Sequence, residues 1–131
     1  MKKSTVINSQ ISAVVASMGH TDSLTICDAG LPIPERTQKI DLAVQAGLPS
    51  FMDVLTNILT ELEVEEVILA EEINQHNPEL GLRLAKLFAN KTITYVSHKE
   101  FKHLTSDCKA VVRTGEFSPY ANIILKSGVV F

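Results

Sequence analysis

No apolar run in the chain approaches the roughly eighteen residues that a membrane-spanning helix needs. The basic start, MKKSTVINSQ, has no apolar segment behind it of the kind an export signal carries. These two absences predict a soluble, unexported, cytoplasmic protein. Cysteine is scarce: Cys27 and Cys108 lie far apart, each in or beside an apolar segment, which fits buried thiols better than a disulfide framework, and they form no CxxC metal pair. Positive charge is not in excess either, since 12 Lys and Arg against 15 Asp and Glu leave a net charge of -3. The basic residues are scattered and form no stripe, which argues against a broad nucleic-acid footprint. Small molecules and protein partners remain.

Signatures of common catalytic sites are missing as well. There is no HExxH and no paired Cys and His spacing for zinc. His98 and His103 in HKEFKH stand five apart, on different faces of a helix. Neither GxGxxG nor GxxxxGK[ST] occurs to cradle a phosphate, and no GxSxG elbow supplies an acyl-transfer nucleophile. No metal and no cofactor are therefore expected. No internal repeat or low-complexity tract appears.

What is present reads as one α/β domain covering residues 1–131, a length typical of single domains. Asn8 or Ser9 can cap a helix whose apolar face is Ile11, Val14, Val15 and Met18, with Gly19 as its stop. SLTIC follows as a buried strand. AGLPIPERTQ is then a long loop, because its prolines and glycine exclude regular structure. Pro49 and Ser50 open a helix carrying Phe51, Val54, Leu55, Ile58, Leu59 and Leu62 at helical spacing. EEVILA, TITYVS and KAVVRTG read as strands; NPELGLRLAKLFAN and HKEFKHLT read as helices between them. Alternating strands and helices predict a mostly parallel sheet flanked by helices, since parallel neighbours need crossover connections. NIILKSGVVF, with two β-like runs around Ser127 and Gly128, predicts a short C-terminal hairpin.

In open α/β sheets ligands bind outside the carboxyl ends of the strands. Here those ends carry Asp28, Glu71 with Glu72, His98, and the run Thr114, Gly115, Glu116. Each has a plainer alternative: Asp28 can close an Asx turn, His20 can face a helix C-terminal dipole, and His98 can simply sit at the surface. His76 and His103 read as solvated cap or helix residues outside any site. Tyr120 and Asn122 lie in an irregular segment between two strands, as a rim tyrosine and turn asparagine would. Taken together, His20, Asp28, His98, Tyr120 and Asn122 suit proton chemistry on a neutral polyol, because histidine, with an ordinary pKa of about 6.5, both gives and takes a proton near neutrality.

MGHTD, DAGLPIP, RTGEFSPYANIIL and the ending GVVF, in this order, resemble the D-ribose pyranase family, related to the fucose mutarotases. The resemblance runs over essentially the whole chain. It implies an isomerase that interconverts the pyranose and furanose forms of D-ribose and supplies the furanose to ribokinase. It implies a cytoplasmic homo-oligomer with subunits in pentameric rings that could stack as a decamer, with D-ribose as ligand and neither nucleic acid nor membrane as partner. It assigns the proton donor to His20 and sugar contacts to Asp28, His98, Tyr120 and Asn122, with Lys102 a weaker candidate. The residue types fit general acid–base opening and reclosure of a hemiacetal, at a constant oxidation level and so without a redox cofactor. The alternatives are a non-catalytic sugar-binding module serving ribose transport or regulation, and a metal-dependent sugar isomerase.

Geometry adds one expectation. His20 precedes the strand SLTIC and Asp28 follows it, and five strand residues rise about 16 Å. Two short side chains cannot close that gap around one pentose, so a His20 and an Asp28 that share a sugar must come from different subunits.

Overall fold

A computed structural model describes residues 1–131. Helix α1 (Ser9–Ser17) starts where Asn8 Oδ1 accepts the Ile11 N–H at 3.0 Å, and it buries Ile11 and Val14. Strand β1 (Ser23–Cys27) follows, then the loop and strand β2 (Gln38–Asp41). Helix α2 (Phe51–Leu59) is capped by Ser50, whose Oγ accepts the Asp53 N–H at 3.1 Å, and it turns Phe51, Val54, Leu55 and Ile58 inward. Strand β3 (Val64–Ala70), the single turn α3 (Ile73–His76) and helix α4 (Pro78–Leu87) come next, with Pro78 at the first helical position, where its missing N–H costs nothing. Strand β4 (Thr92–Val96), helix α5 (His98–Leu104), a 3₁₀ turn (Thr105–Asp107), β5 (Ala110–Arg113) and β6 (Ile123–Ser127) complete the chain.

The six strands form one sheet in the order β2-β5-β1-β6-β3-β4. β2, β5 and β1 are parallel, as are β3 and β4, while β6 runs antiparallel to both β1 and β3 between them. The α/β class with a mostly parallel sheet is as the sequence predicts. The antiparallel pairing expected at the C-terminus is present too, but its partners are β1 and β3 and not the last residues of the chain. There is no terminal hairpin: residues 129–131 run past the sheet and are exposed. A lone two-stranded ribbon is marginal in water, whereas the central slot gives β6 a ladder on each edge and buries Ile123, Ile124 and Leu125.

Two further elements escape the sequence pattern. Gln38, assigned to the loop, opens β2, an edge strand in which Ile40 alone is buried, so it carries no apolar alternation. α3 is one turn long and too short for a helical period.

Alternation along the strands divides the interior. Leu24, Ile26, Val67, Leu69, Val112, Ile123 and Leu125 face α1, α2 and α4 and form the large core with Phe51, Leu55, Ile58 and Leu84. The opposite face carries Cys27, Val111 and Ile124 against Phe101 of α5. Further along that face the cover thins, and Glu66 accepts hydrogen bonds from Thr94 Oγ1 at 2.7 Å and Lys126 Nζ at 3.1 Å in place of apolar packing.

Both cysteines are free and buried, as expected. Burial, aided by the Asp28 charge, pushes the Cys27 thiol up to about 12, and burial raises Cys108 despite donation from Thr25 Oγ1 at 3.2 Å. Thiolate is the reactive form. A thiol-specific disulfide reagent should leave the native protein unmodified at pH 8 and titrate two groups per chain after guanidinium unfolding. Stoichiometric reaction of the native state would show that this face of the sheet opens readily.

Candidate functional site

The sheet gathers its polar residues at one rim. Asp28 follows β1, Thr114 follows β5, Glu71 and Glu72 follow β3, and His98 follows β4. Because β6 runs the other way, its amino end delivers Tyr120 and Asn122 to the same rim. Ile26 pairs with Ile123, so Asn122 stands beside the exit of β1.

Asp28 and Asn122 then lock together. The Asp28 N–H donates to Asn122 Oδ1 at 2.9 Å, and Asn122 Nδ2 donates to Asp28 Oδ2 at 3.0 Å. Asp28 Oδ1 accepts the Gly30 N–H at 2.9 Å, so the Asx turn and the site are the same structure. Asn122 is 1 % exposed, and its carboxamide serves Asp28 from behind.

A cavity of about 330 Å³ opens between Asp28, Leu31, His98, Pro119 and Tyr120. His98 and Tyr120 meet edge to face, with ring centroids 5.0 Å apart at 88°, and His98 stacks on Phe101. His98 Nδ1 is buried without a hydrogen-bond partner. Tyr120 has a left-handed backbone, φ 55°, a conformation that a bulky side chain adopts only where its surroundings impose it. A second cavity of about 350 Å³ adjoins the first across Asp28 and is bounded by Arg113, Glu116 and the exposed ring of Phe117.

The loops at this rim are pinned by backbone contacts that the sequence does not advertise. Gly115 lies against the backbone oxygens of Gln45 and Leu48; a Cβ there would stand 2.6 Å from Gln45 O and nearer still to Leu48 O, so only glycine fits. Glu116 Oε2 accepts the Phe51 N–H at the start of α2, and Oε1 accepts the Ser118 N–H, both at 3.1 Å. Burial pushes the Glu116 carboxyl up, but these donors outweigh it and hold the group below the usual range. Arg113 donates from Nε to Ala29 O at 3.0 Å and from one terminal nitrogen to both oxygens of Asp41 at 3.1 Å.

His20 is elsewhere. It occupies the turn before β1, at the opposite rim, and five strand residues separate it from Asp28. Its Nε2 lies 2.8 Å from Glu65 Oε2. Against a carboxylate, which only accepts, Nε2 is the donor of this contact, and Nδ1 is the ring nitrogen left for a ligand. Glu65 was not singled out by sequence. As one of two adjacent glutamates at the start of the strand VEEVILA it reads as a solvent-facing residue, and the partner that would mark it lies 45 residues away.

Of the five residues singled out by sequence, the fold therefore brings Asp28, His98, Tyr120 and Asn122 together and leaves His20 apart. His76 is exposed, as expected, yet it is not remote from the site: its ring centroid is 5.4 Å from that of Tyr120. His103 is exposed on α5.

A mostly parallel sheet with a polar, partly aromatic cavity outside its strand ends defines a small-molecule-binding α/β protein. The chain belongs to the RbsD / FucU transport protein family, whose model matches residues 1–130. It is 55% identical to a D-ribose pyranase of Lactiplantibacillus plantarum over 131 residues, all of both chains. Its fold matches that of Bacillus subtilis RbsD complexed with D-ribose, with a TM-score of 0.97, 50% identity and complete coverage of both. It also matches the fucose mutarotase in complex with L-fucose from Streptococcus pneumoniae, with a TM-score of 0.83 and 26% identity over the full length of both.

The Asp28 and Asn122 pairing has a testable consequence. Asn122→Asp would set two carboxylates about 3 Å apart, and one of them would hold its proton well above the ordinary aspartate value of about 3.9. A folded-state pKa raised in an acid is a penalty that grows as pH rises from the unfolded value through the folded one. The melting temperature of the variant should therefore fall increasingly below that of the parent between pH 4 and pH 7. An equal deficit at both pH values would remove the like-charge account.

Proposed function

We propose that this chain is an isomerase that interconverts the pyranose and furanose forms of D-ribose, acting as one domain across residues 1–131. The observation that carries the reading is 55% identity over its whole length to a D-ribose pyranase. The chemistry of the rim supports it. Asp28 and Tyr120 offer an acceptor and a hydroxyl to a polyol, and a sugar hydroxyl would pair the orphaned His98 Nδ1, whose isolation costs about 1–3 kcal/mol.

Ring opening removes the proton from the anomeric hydroxyl while the ring oxygen gains one. Reclosure through a different hydroxyl reverses both transfers, so atoms balance with no oxidant or reductant. His20 is the proton carrier in this reading, with Glu65 holding its tautomer. Asp28, His98, Tyr120 and Asn122 hold the sugar, Asn122 bracing Asp28 as well, and together they select the hydroxyl that recloses.

His20 and Asp28 lie at opposite ends of β1, so the reading includes a homo-oligomer in which one copy brings His20 to the Asp28 rim of the next. Such a head-to-tail contact forms a ring when its rotation closes; pentameric rings, stacked or single, are the arrangement we infer. Exposed apolar residues flank both ends, with Val44, Leu48 and Phe117 near the Asp28 rim and Val129, Val130 and Phe131 past the end of β6, at the opposite rim. We further infer a cytoplasmic enzyme that supplies ribofuranose to ribokinase. No helix is long and apolar enough to cross a membrane.

Saturation-transfer NMR on D-ribose tests the activity. The protein should carry saturation between pyranose and furanose signals, and His20→Ala should lower that exchange about a hundredfold or more while ribose still binds. Binding without exchange by the parent would make this a sugar-binding module. Sharing of the site between copies is tested by refolding His20→Ala chains with Asp28→Asn chains, each inactive alone. Mixed oligomers should regain part of the activity, and mixed oligomers that regain none would return both groups to one chain.

A further inference from the structure

The turn after β3 does not itself line the cavity, yet three of its side chains contact residues that do. Both carboxylate oxygens of Glu72 lie 3.0 Å from the His98 backbone nitrogen and accept its N–H. Asn77 Nδ2 donates to Pro119 O at 2.9 Å, at the peptide bond that leads into the left-handed Tyr120. The His76 ring flanks Tyr120 at 5.4 Å, and His98 meets it at 5.0 Å.

These contacts come from outside the segments they hold. Ser97 Oγ accepts the Glu100 N–H at 3.2 Å, and the His98 N–H, another of the free N–H groups at the start of α5, is taken by Glu72 from a turn 26 residues earlier in the chain. Asn77 occupies the capping position of α4, where an asparagine side chain ordinarily accepts from the helix's own N–H groups, yet it makes no such bond. Its carboxamide is spent across the gap on the loop that carries Tyr120. The turn itself is anchored: Ile73 is fully buried in the large core, and the Glu71 N–H donates to Val96 O at 2.8 Å. A side chain anchored there transmits the position of the core to the rim.

We propose that the turn spanning residues 72–77 is the positioning element of the sugar site, Glu72 setting His98 and Asn77 with His76 setting Tyr120, so that the edge-to-face pair is preformed before ligand arrives. The proposal rests on the sugar-binding role given above to His98 and Tyr120. Burial pushes the Glu72 carboxyl up, but donation from the His98 N–H and from its own backbone outweighs it, so the acceptor is ionised at neutral pH.

Asn77→Asp separates positioning from mere stability. Aspartate is an equally good helix cap but, ionised, donates no hydrogen bond to Pro119 O. The variant should keep the parent's melting temperature while its KM for D-ribose rises on the order of tenfold and kcat changes by less than about twofold, the pattern of a misplaced binding wall. Glu72→Ala should raise KM in the same way, and Glu72→Gln, which keeps an acceptor oxygen, should restore it. In the ligand-free protein the His98 ring-proton resonances, shifted by the Tyr120 ring, should move in Asn77→Asp and in Glu72→Ala and stay near the parent's in Glu72→Gln. An unchanged KM together with unmoved His98 resonances in Asn77→Asp overturns the proposal, whether or not Glu72→Ala folds. A parent that fails to exchange ribose sinks the functional reading instead, and the His98 resonances still decide the positioning.

Discussion

Strand β6 is the constraint on which the rest of the molecule depends. It enters the sheet after every other strand in the chain, yet lies at the centre, antiparallel to β1 on one edge and β3 on the other. Without it the β2-β5-β1 and β3-β4 sets share no ladder. Its direction also decides the chemistry of the two rims. Parallel strands send their carboxyl ends to one side, and an antiparallel neighbour sends its amino end there, which is how the segment carrying Tyr120 and Asn122 comes to face Asp28 and His98. The other end of β6 closes against the turn of His20, where the Thr21 N–H donates to Ser127 O at 2.9 Å.

The Asp28 rim is built from loops, and loops hold a shape only if their backbone groups find partners. Here the partners are side chains of the site itself or of its neighbours. Asn122 satisfies Asp28, Glu116 ties its own loop to the start of α2, and Arg113 bridges the ends of β2 and β1. Gly115 lets the loop pass against residues 45–48 where any side chain would collide. Such a rim is preorganised: a ligand that enters meets groups already oriented, and little ordering remains to oppose binding. The left-handed Tyr120 is the one place where this order is imposed against local preference, and it sits at the cavity wall.

Much of this was legible in residue order. Helices α1, α2 and α4 show their apolar stripes and their Asn, Ser and Pro starts, and β1 agrees with SLTIC at both ends. Asp28, His98, Tyr120 and Asn122 stood out because each lies beside a strand end. The misses share a cause, since a pattern needs length or burial to show. β2 buries one residue, α3 is a single turn, and the last strand was read as half of a hairpin because sequence displays only neighbours along the chain. Glu65 and the pairing of Asn77 with Pro119 carry no local mark at all, because their partners are 45 and 42 residues away.

The sequence by itself determined the α/β class, the strands and helices with enough period to bury a face, and the residue types available for chemistry, because those follow from local sterics and from the spacing of apolar side chains. It also indicated that His20 and Asp28 lie a strand's length apart, since five residues in the extended conformation that SLTIC favours rise about 16 Å. Only the tertiary structure decided that β6 would take the central slot, antiparallel to both neighbours, and hence which residues share a rim. That choice is made by the free energy of burying Ile123, Ile124 and Leu125 between two sheet halves and satisfying both edges of their strand, a quantity that belongs to the whole fold and to no segment of it.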